Sequence, residues 1–139
     1  MKKSAWVLLL LLACLLPAAT ASANHHAIKI ASQEGLGNYI TDAKGMTLYW
    51  FTKDQPGVSV CTGGCLEKWP AYYREEVLPP EGVPAEDFGT IERSDGTKQT
   101  TFRGYPLYYF FMDKQPGDVK GQGVNNVWFV IDPANFMKK

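Results

Sequence analysis

Histidine is nearly absent from this chain of 139 residues: there are two, His25 and His26, side by side near the N-terminus. A Ser-His-Asp or Cys-His centre would have to recruit one of them from that end. Charge of either sign is not in excess, with 14 Lys+Arg against 14 Asp+Glu. A neutral chain lacks the basic surface that displaces counterions from phosphate, which argues against nucleic acid as a partner. Cysteine is scarce, at three residues, and the spacing offers neither a zinc ligand set nor the Cys-x-x-Cys-His of c-type haem. The longest apolar run, Ala5 to Leu16, falls short of the about 20 residues that a membrane span needs. What remains is enough chain for one domain, with the 45% hydrophobic and 20% charged residues of an ordinary globular protein.

The apolar run has the layout of an export signal. Lys2 and Lys3 precede it, Pro17 breaks it, and Ala21-Ser22-Ala23 supplies the small-x-small pattern that a signal peptidase accepts. Residues 1–23 therefore read as a signal peptide, with a mature chain from Asn24 and no transmembrane span in it. Taking Lys2 and Lys3 from the 14 basic residues leaves 12 against 14 acidic ones, a net charge of −2. A competing reading takes Leu11-Leu12-Ala13-Cys14 as a lipobox with a lipid anchor at Cys14, although Leu12 is bulky for one. Both readings place the folded part outside the cytoplasm, periplasmic or secreted.

In that oxidising space Cys61 and Cys65 form an even pair, and Cys61-Thr62-Gly63-Gly64-Cys65 is expected to close as a structural disulfide. A ring this small constrains the unfolded chain by only roughly 2 kcal/mol. The alternative is a redox-active dithiol, for which a short ring is suited but no Cys-x-x-Cys is present.

Self-comparison gives the strongest signal. Gly45-Met46-Thr47-Leu48-Tyr49-Trp50-Phe51-Thr52-Lys53-Asp54 aligns with Gly104-Tyr105-Pro106-Leu107-Tyr108-Tyr109-Phe110-Phe111-Met112-Asp113 at a shift of 59. One inserted residue, Lys114, then sets Gln55-Pro56-Gly57 against Gln115-Pro116-Gly117, which brings the identities to eight. Two copies of one unit, packed against each other to close a shared core, explain this. The aromatic stretches Thr47–Phe51 and Leu107–Phe111 suit strands, and Gln-Pro-Gly after each suits a turn. Asp42-Ala43-Lys44-Gly45 and Ser94-Asp95-Gly96-Thr97 read as hairpin turns, and further strands are expected at Ala27–Ala31 and Asn126–Ile131. Leu66–Trp69 has room for one helical turn before Pro70.

The expected fold is an all-β single small domain of about six to seven short strands, built from two pseudo-symmetric repeats. Residues 24–35 form a tail and first strand. Residues 36–139 hold the repeats, with copies near 36–70 and 89–132 and an irregular, acidic, Pro-rich connection over 71–88.

These motifs resemble a family of small bacterial secreted repeat proteins and predicted lipoproteins carrying Tyr-x-(Phe/Trp/Tyr)-x-x-Asp. Tyr49-x-Phe51-x-x-Asp54 and Tyr108-x-Phe110-x-x-Asp113 both fit that pattern. The Cys61–Cys65 segment with Trp69-Pro70, and Gly121-Gln122-Gly123-Val124 with Val127-Trp128-Phe129-Val130, are similar to it as well. The resemblance implies an exported repeat of undefined role, and a lipobox in many of its members.

Residue by residue, Tyr49, Phe51, Tyr108 and Phe110 face one side of their strands and are expected to fill the core, or else to form an aromatic platform for a flat ligand. Trp50 and Tyr109 face the other side and are candidates for exposed contacts. Asp54 and Asp113 read as turn caps of the Asx type, with paired catalytic carboxylates as the alternative. Glu75, Glu76, Glu81, Glu86 and Asp87 read as a solvated acidic loop.

If cleavage follows Ala23, the amine of Asn24, two amide nitrogens and the His26 imidazole supply a square-planar set for Cu(II), with His25 able to add a nitrogen. No other cofactor is implied. The composite reading is an exported non-enzymatic envelope module that binds a small ligand or another envelope protein. A periplasmic metal-handling or redox protein is the alternative, and a hydrolase built on paired carboxylates ranks last.

Overall fold

The computed structural model describes residues 25–138. The signal segment, Cys14 and Asn24 lie outside the described residues. The fold is all-β, with one short helix, α1 (Gly64–Lys68), and two single 3₁₀ turns at Ala85–Asp87 and Val124–Asn126. Strands β1 (Lys29–Gln33) and β2 (Gly37–Thr41) pair antiparallel, with Ile30 opposite Ile40. Strands β4 (Phe88–Glu92) and β5 (Lys98–Phe102) repeat that hairpin, with Thr90 opposite Thr100, and β6 (Tyr105–Pro106) extends it. Strand β3 (Tyr49–Phe51) pairs antiparallel with β7 (Trp128–Val130), which sets Trp50 against Phe129.

Local chemistry sets the two hairpin turns that the sequence marks. Asp42 Oδ1 accepts the N–H groups of Lys44 and Met46, each at 2.9 Å. Asp95 Oδ1 accepts the N–H and hydroxyl of Thr97 at 2.9 and 2.6 Å. Both are side chains replacing a backbone acceptor in a tight turn.

The two copies are matched in their backbone hydrogen bonds. Leu48 N–H donates to Ile40 and Leu107 N–H to Thr100, while Ile40 N–H donates to Ile131 and Thr100 N–H to Tyr72. These bonds make Ile131 the counterpart of Tyr72, and the β1–β2 hairpin the counterpart of β4–β5. The first copy thus reaches back to β1, ahead of the boundary at 36 that the aromatic motif alone suggests. Residues 73–87 remain irregular, tied to the N-terminal end where Ile28 and Leu78 exchange bonds with each other and with His26.

The copies join at their central tyrosines. Tyr49 N–H donates to the Tyr108 carbonyl at 2.8 Å and Tyr108 N–H donates to the Tyr49 carbonyl at 3.0 Å. This mutual pair marks the pseudo-twofold axis. The second aromatic stretch departs from expectation: Leu107–Phe111 is not a continuous strand. Tyr109 and Phe111 donate outward to Pro70 and Lys68, and only Tyr108 bridges inward.

Core lies on both faces of this central layer. One cluster gathers Ile28, Ile40, Leu48, Tyr72, Phe102, Leu107 and Ile131. The other gathers Tyr49, Phe51, Cys61, Trp69, Tyr108, Phe110 and Trp128. The alternation of the motif strands is therefore as expected, but the exposure of Trp50 and Tyr109 is not. Both are half-buried against the first cluster, because the face opposite Tyr49 and Phe51 is covered too. Trp50 meets Tyr105 and Phe136 edge to face, and the Tyr109 hydroxyl donates to Asp42 at 2.8 Å.

Candidate functional site

The motif residues converge at the axis, and they pair across the copies. Tyr49 of the first copy donates its hydroxyl to Asp113 of the second at 2.6 Å. Tyr108 of the second copy donates to Asp54 of the first, also at 2.6 Å. Each carboxylate holds its own loop with the other oxygen: Asp54 Oδ1 accepts Val60 N–H at 2.7 Å, and Asp113 Oδ1 accepts Lys120 N–H at 2.9 Å. The second loop is one residue longer, which is where Lys114 is inserted. Neither aspartate closes a short Asx turn, and neither faces the other as a catalytic pair. They are loop anchors gripped by the opposite copy.

Glycine and proline cross in the same way. Gly45 (φ +87°) lies under Pro116 and Gly104 (φ +86°) under Pro56, where a Cβ would come within 3.0 and 2.9 Å of the proline ring. The left-handed backbone and the close approach both demand glycine.

Four rings stack at the centre of the second cluster in the order Phe110, Trp69, Trp128, Phe51. The centroid separations are 4.2, 3.9 and 4.1 Å. Tyr49 stands edge-on to Trp69 and Tyr108 edge-on to Trp128. Trp69 and Trp128 are themselves equivalent at a shift of 59. That equivalence is not part of the motif alignment, because unlike residues flank each tryptophan.

Burial raises the phenols of Tyr49 and Tyr108 well above their ordinary range, and the partner carboxylates push them further. Burial also raises Asp54 and Asp113, against the lowering effect of the tyrosine and backbone donors. The first pair continues into a polar network. The Tyr108 hydroxyl contacts Ser59 Oγ at 2.6 Å, and Ser59 accepts from Arg93 at 2.7 Å. Arg93, only 5% exposed, also donates to Gln99 Oε1 and to the Cys61 carbonyl. A buried guanidinium is tolerated here because three acceptors surround it.

The crossed pairs make a test. Tyr49→Phe leaves a buried carboxylate without its donor, which should cost about 1.5–3 kcal/mol, the range for hydrogen bonds to charged groups. In double-mutant cycles read by urea unfolding, Tyr49→Phe and Asp113→Asn should couple by about 1 kcal/mol or more, and Tyr49→Phe and Asp54→Asn by nearly nothing. Coupling within a copy instead of across copies would sink the crossed arrangement.

The remaining sequence candidates lie elsewhere. Cys61 and Cys65 form a disulfide. His25 is exposed, and its carbonyl accepts from Arg74. His26 is half-buried, its Nδ1 without a partner. Asn24, the first ligand of the tail copper set, falls outside the described residues. Among the described residues no three His, Cys, Asp or Glu side chains gather to hold a metal ion, and no helix is long and apolar enough to cross a membrane.

One concavity breaks the pseudo-symmetry, a groove of ≈ 970 Å³ lined by Pro56, Pro84, Phe88, Gly89, Gly104 and Met137, with Glu86, Asp87, Arg103 and Lys138 also on its walls. The β4 position of Gly89 corresponds to exposed Lys29 on β1, so the second copy lacks a side chain where the first carries a long one. Arg103 is held by Asp87 at 3.0 Å and by the Phe136 carbonyl. Sequence reasoning missed this groove; its walls come from 84–89, the hairpin turn at 103–104 and the C-terminal residues, which share no periodic pattern.

A family model described as a secreted repeat of unknown function matches residues 31–72 and 89–132, the two copies seen in the structure. No curated protein and no solved structure matches the chain. The chain belongs to that family of secreted repeats.

Proposed function

We propose that this member of the secreted-repeat family works in the bacterial envelope, in the periplasm or beyond it, as a non-enzymatic binding module whose ligand seat is the groove over β4 and β5. The observation that carries this reading is the asymmetry at Gly89. Two copies with the same scaffold differ where one has Lys29 and the other an open floor, and the opening is of the size that small-molecule sites have. The reading is further supported by the motif itself. Its tyrosines and aspartates are engaged in holding the copies together, so the repeated carboxylates have scaffold work and not acid–base work.

The groove's chemistry suits a ligand with an apolar body and a polar end. Pro56, Pro84, Phe88 and Met137 supply the apolar contact. Arg103, already matched by Asp87, is a fixed dipole more than a free charge.

Gly89→Lys gives the second copy the residue of the first and should fill the floor. The substitution asks only that the Thr101 hydroxyl, 3.0 Å from the new Cβ, move aside. Native mass spectrometry of protein purified from its own envelope should show a bound species in the parent that is lost from Gly89→Lys, with unchanged circular dichroism in both. Retention of the same adduct by the filled variant places the ligand elsewhere and defeats this reading.

A further inference from the structure

Two loops leave equivalent points and land on equivalent tryptophans, and only one is cross-linked. The first runs from Val60, held by Asp54, to Trp69; the second runs from Lys120, held by Asp113, to Trp128. Both turn at a positive-φ glycine, Gly63 at +56° and Gly123 at +77°. Both then form a single helical turn, with Leu66 N–H donating to Gly63 and Asn126 N–H to Gly123. Cys61 and Cys65 stand where the second loop has Gly121 and Asn125. A Cβ at Gly121 would strike the Tyr49 ring at 2.7 Å and Trp69 at 2.9 Å, so that loop cannot carry a cysteine there. The protein thus contains its own control: this loop forms, and delivers its tryptophan to the stack, without a disulfide.

The two sulfur-bearing residues are unlike in access. Cys61 is fully buried in the aromatic cluster, while Cys65 is half-exposed on α1. The buried Arg93 guanidinium donates to the Cys61 carbonyl, which puts a cation on the Cys61 side of the bond.

We propose that Cys61–Cys65 is a thiol–disulfide exchange site in the folded protein, with Cys65 the entry sulfur and Cys61 the leaving one. The co-reactant is an external dithiol. One of its thiolates attacks Cys65 Sγ, the Cys61–Cys65 bond breaks, and its electron pair leaves on Cys61 Sγ as a thiolate beside the buried cation. The second thiol of the reagent loses its proton and attacks its own sulfur in the mixed disulfide, which frees Cys65. The protein disulfide gains two electrons and two protons, and the dithiol becomes a disulfide. The oxidised form clamps the Trp69 landing; the reduced form leaves it held as Trp128 is held.

The test uses the processed, exported protein in dithiothreitol without denaturant, followed by alkylation, intact mass, near-ultraviolet circular dichroism and tryptophan fluorescence. Two alkyl groups should be gained with the near-ultraviolet signature kept. Cys61→Ala should take up glutathione from its disulfide at Cys65, while Cys65→Ala should resist at Cys61, and Cys61→Ala with Cys65→Ala should keep the near-ultraviolet signature of the parent. Three results overturn the proposal: alkylation only after denaturant, loss of the near-ultraviolet signature together with the disulfide or in the double variant, or equal labelling of both cysteines.

Discussion

Trp128→Ala should unfold the domain or leave it barely stable. The side chain lies between Trp69 and Phe51 in the four-ring stack, meets Tyr108 edge to face, and sits on β7 against β3. Removing a buried tryptophan costs about 3–5 kcal/mol, and the lost ring pairs add about 0.5–1.5 kcal/mol each. Against a total of about 5–15 kcal/mol for a domain of this kind, that is most of the stability. Trp69→Ala should cost a similar amount, since it holds the same position in the other copy, between Phe110 and Trp128. Urea unfolding of both variants checks the claim. Losses below about 1 kcal/mol would show that the stack is not a core, and one large and one small loss would break the equivalence of the two halves.

How far such an arrangement can be read from sequence depends on which relation is asked for. The recurrence at 59 and 60 residues establishes that Tyr49 and Tyr108 are equivalent, and likewise Asp54 and Asp113. It does not say whether a tyrosine grips the aspartate of its own copy or of the other, because a repeat fixes equivalence and leaves the partner open. Crossing arises from the mutual backbone pair at the two tyrosines, a long-range contact that has no local signature.

Trp69 and Trp128 were harder still. Each lies in a recognisable segment, but Pro70 follows one and Phe129 the other, and one residue gained and one lost between anchor and tryptophan hide the shift. The alternation of Trp50 and Tyr109 was legible, since strand geometry dictates it. Their burial was not, because what covers that face is the hairpins, Tyr105 and Phe136 from distant parts of the chain. The groove depends on the one place where the copies differ, and a search for likeness passes over it.

The same buried phenols that hold the halves together should make the protein fail abruptly in alkali. Burial raises Tyr49, Tyr108 and Tyr109, each with a carboxylate partner adding to the rise, and pushes Tyr72 up to about 12. A group whose folded value lies above its unfolded one, about 10 for tyrosine, contributes stability that is fully present below that unfolded value. It is lost as pH climbs from there toward the folded value, because the unfolded chain releases protons that the folded one retains. Each such phenol then removes about 1.4 kcal/mol per pH unit, and four together on the order of 5 kcal/mol per unit. Asp54 and Asp113, also raised, carry the same sign at the acidic end, so their contribution is present below the ordinary carboxylate range and mild acid does not withdraw it.

The cleanest probe is Tyr72→Phe. Its hydroxyl is buried without a partner, so removing it should leave stability at neutral pH unchanged or slightly raised. At pH ~11 the variant should exceed the parent by about 1.4 kcal/mol beyond any neutral-pH difference, because one of the four retained protons is gone. Urea midpoints from pH 8 to 11.5, with tyrosinate absorbance recorded alongside, read both quantities. The parent should lose its fold steeply past pH 10, with the tyrosinate signal of these residues appearing only as it unfolds. A gradual rise of that signal in the native protein, or a Tyr72→Phe variant that tracks the parent at every pH, would mean that the phenols ionise in place and that burial is not what holds their protons.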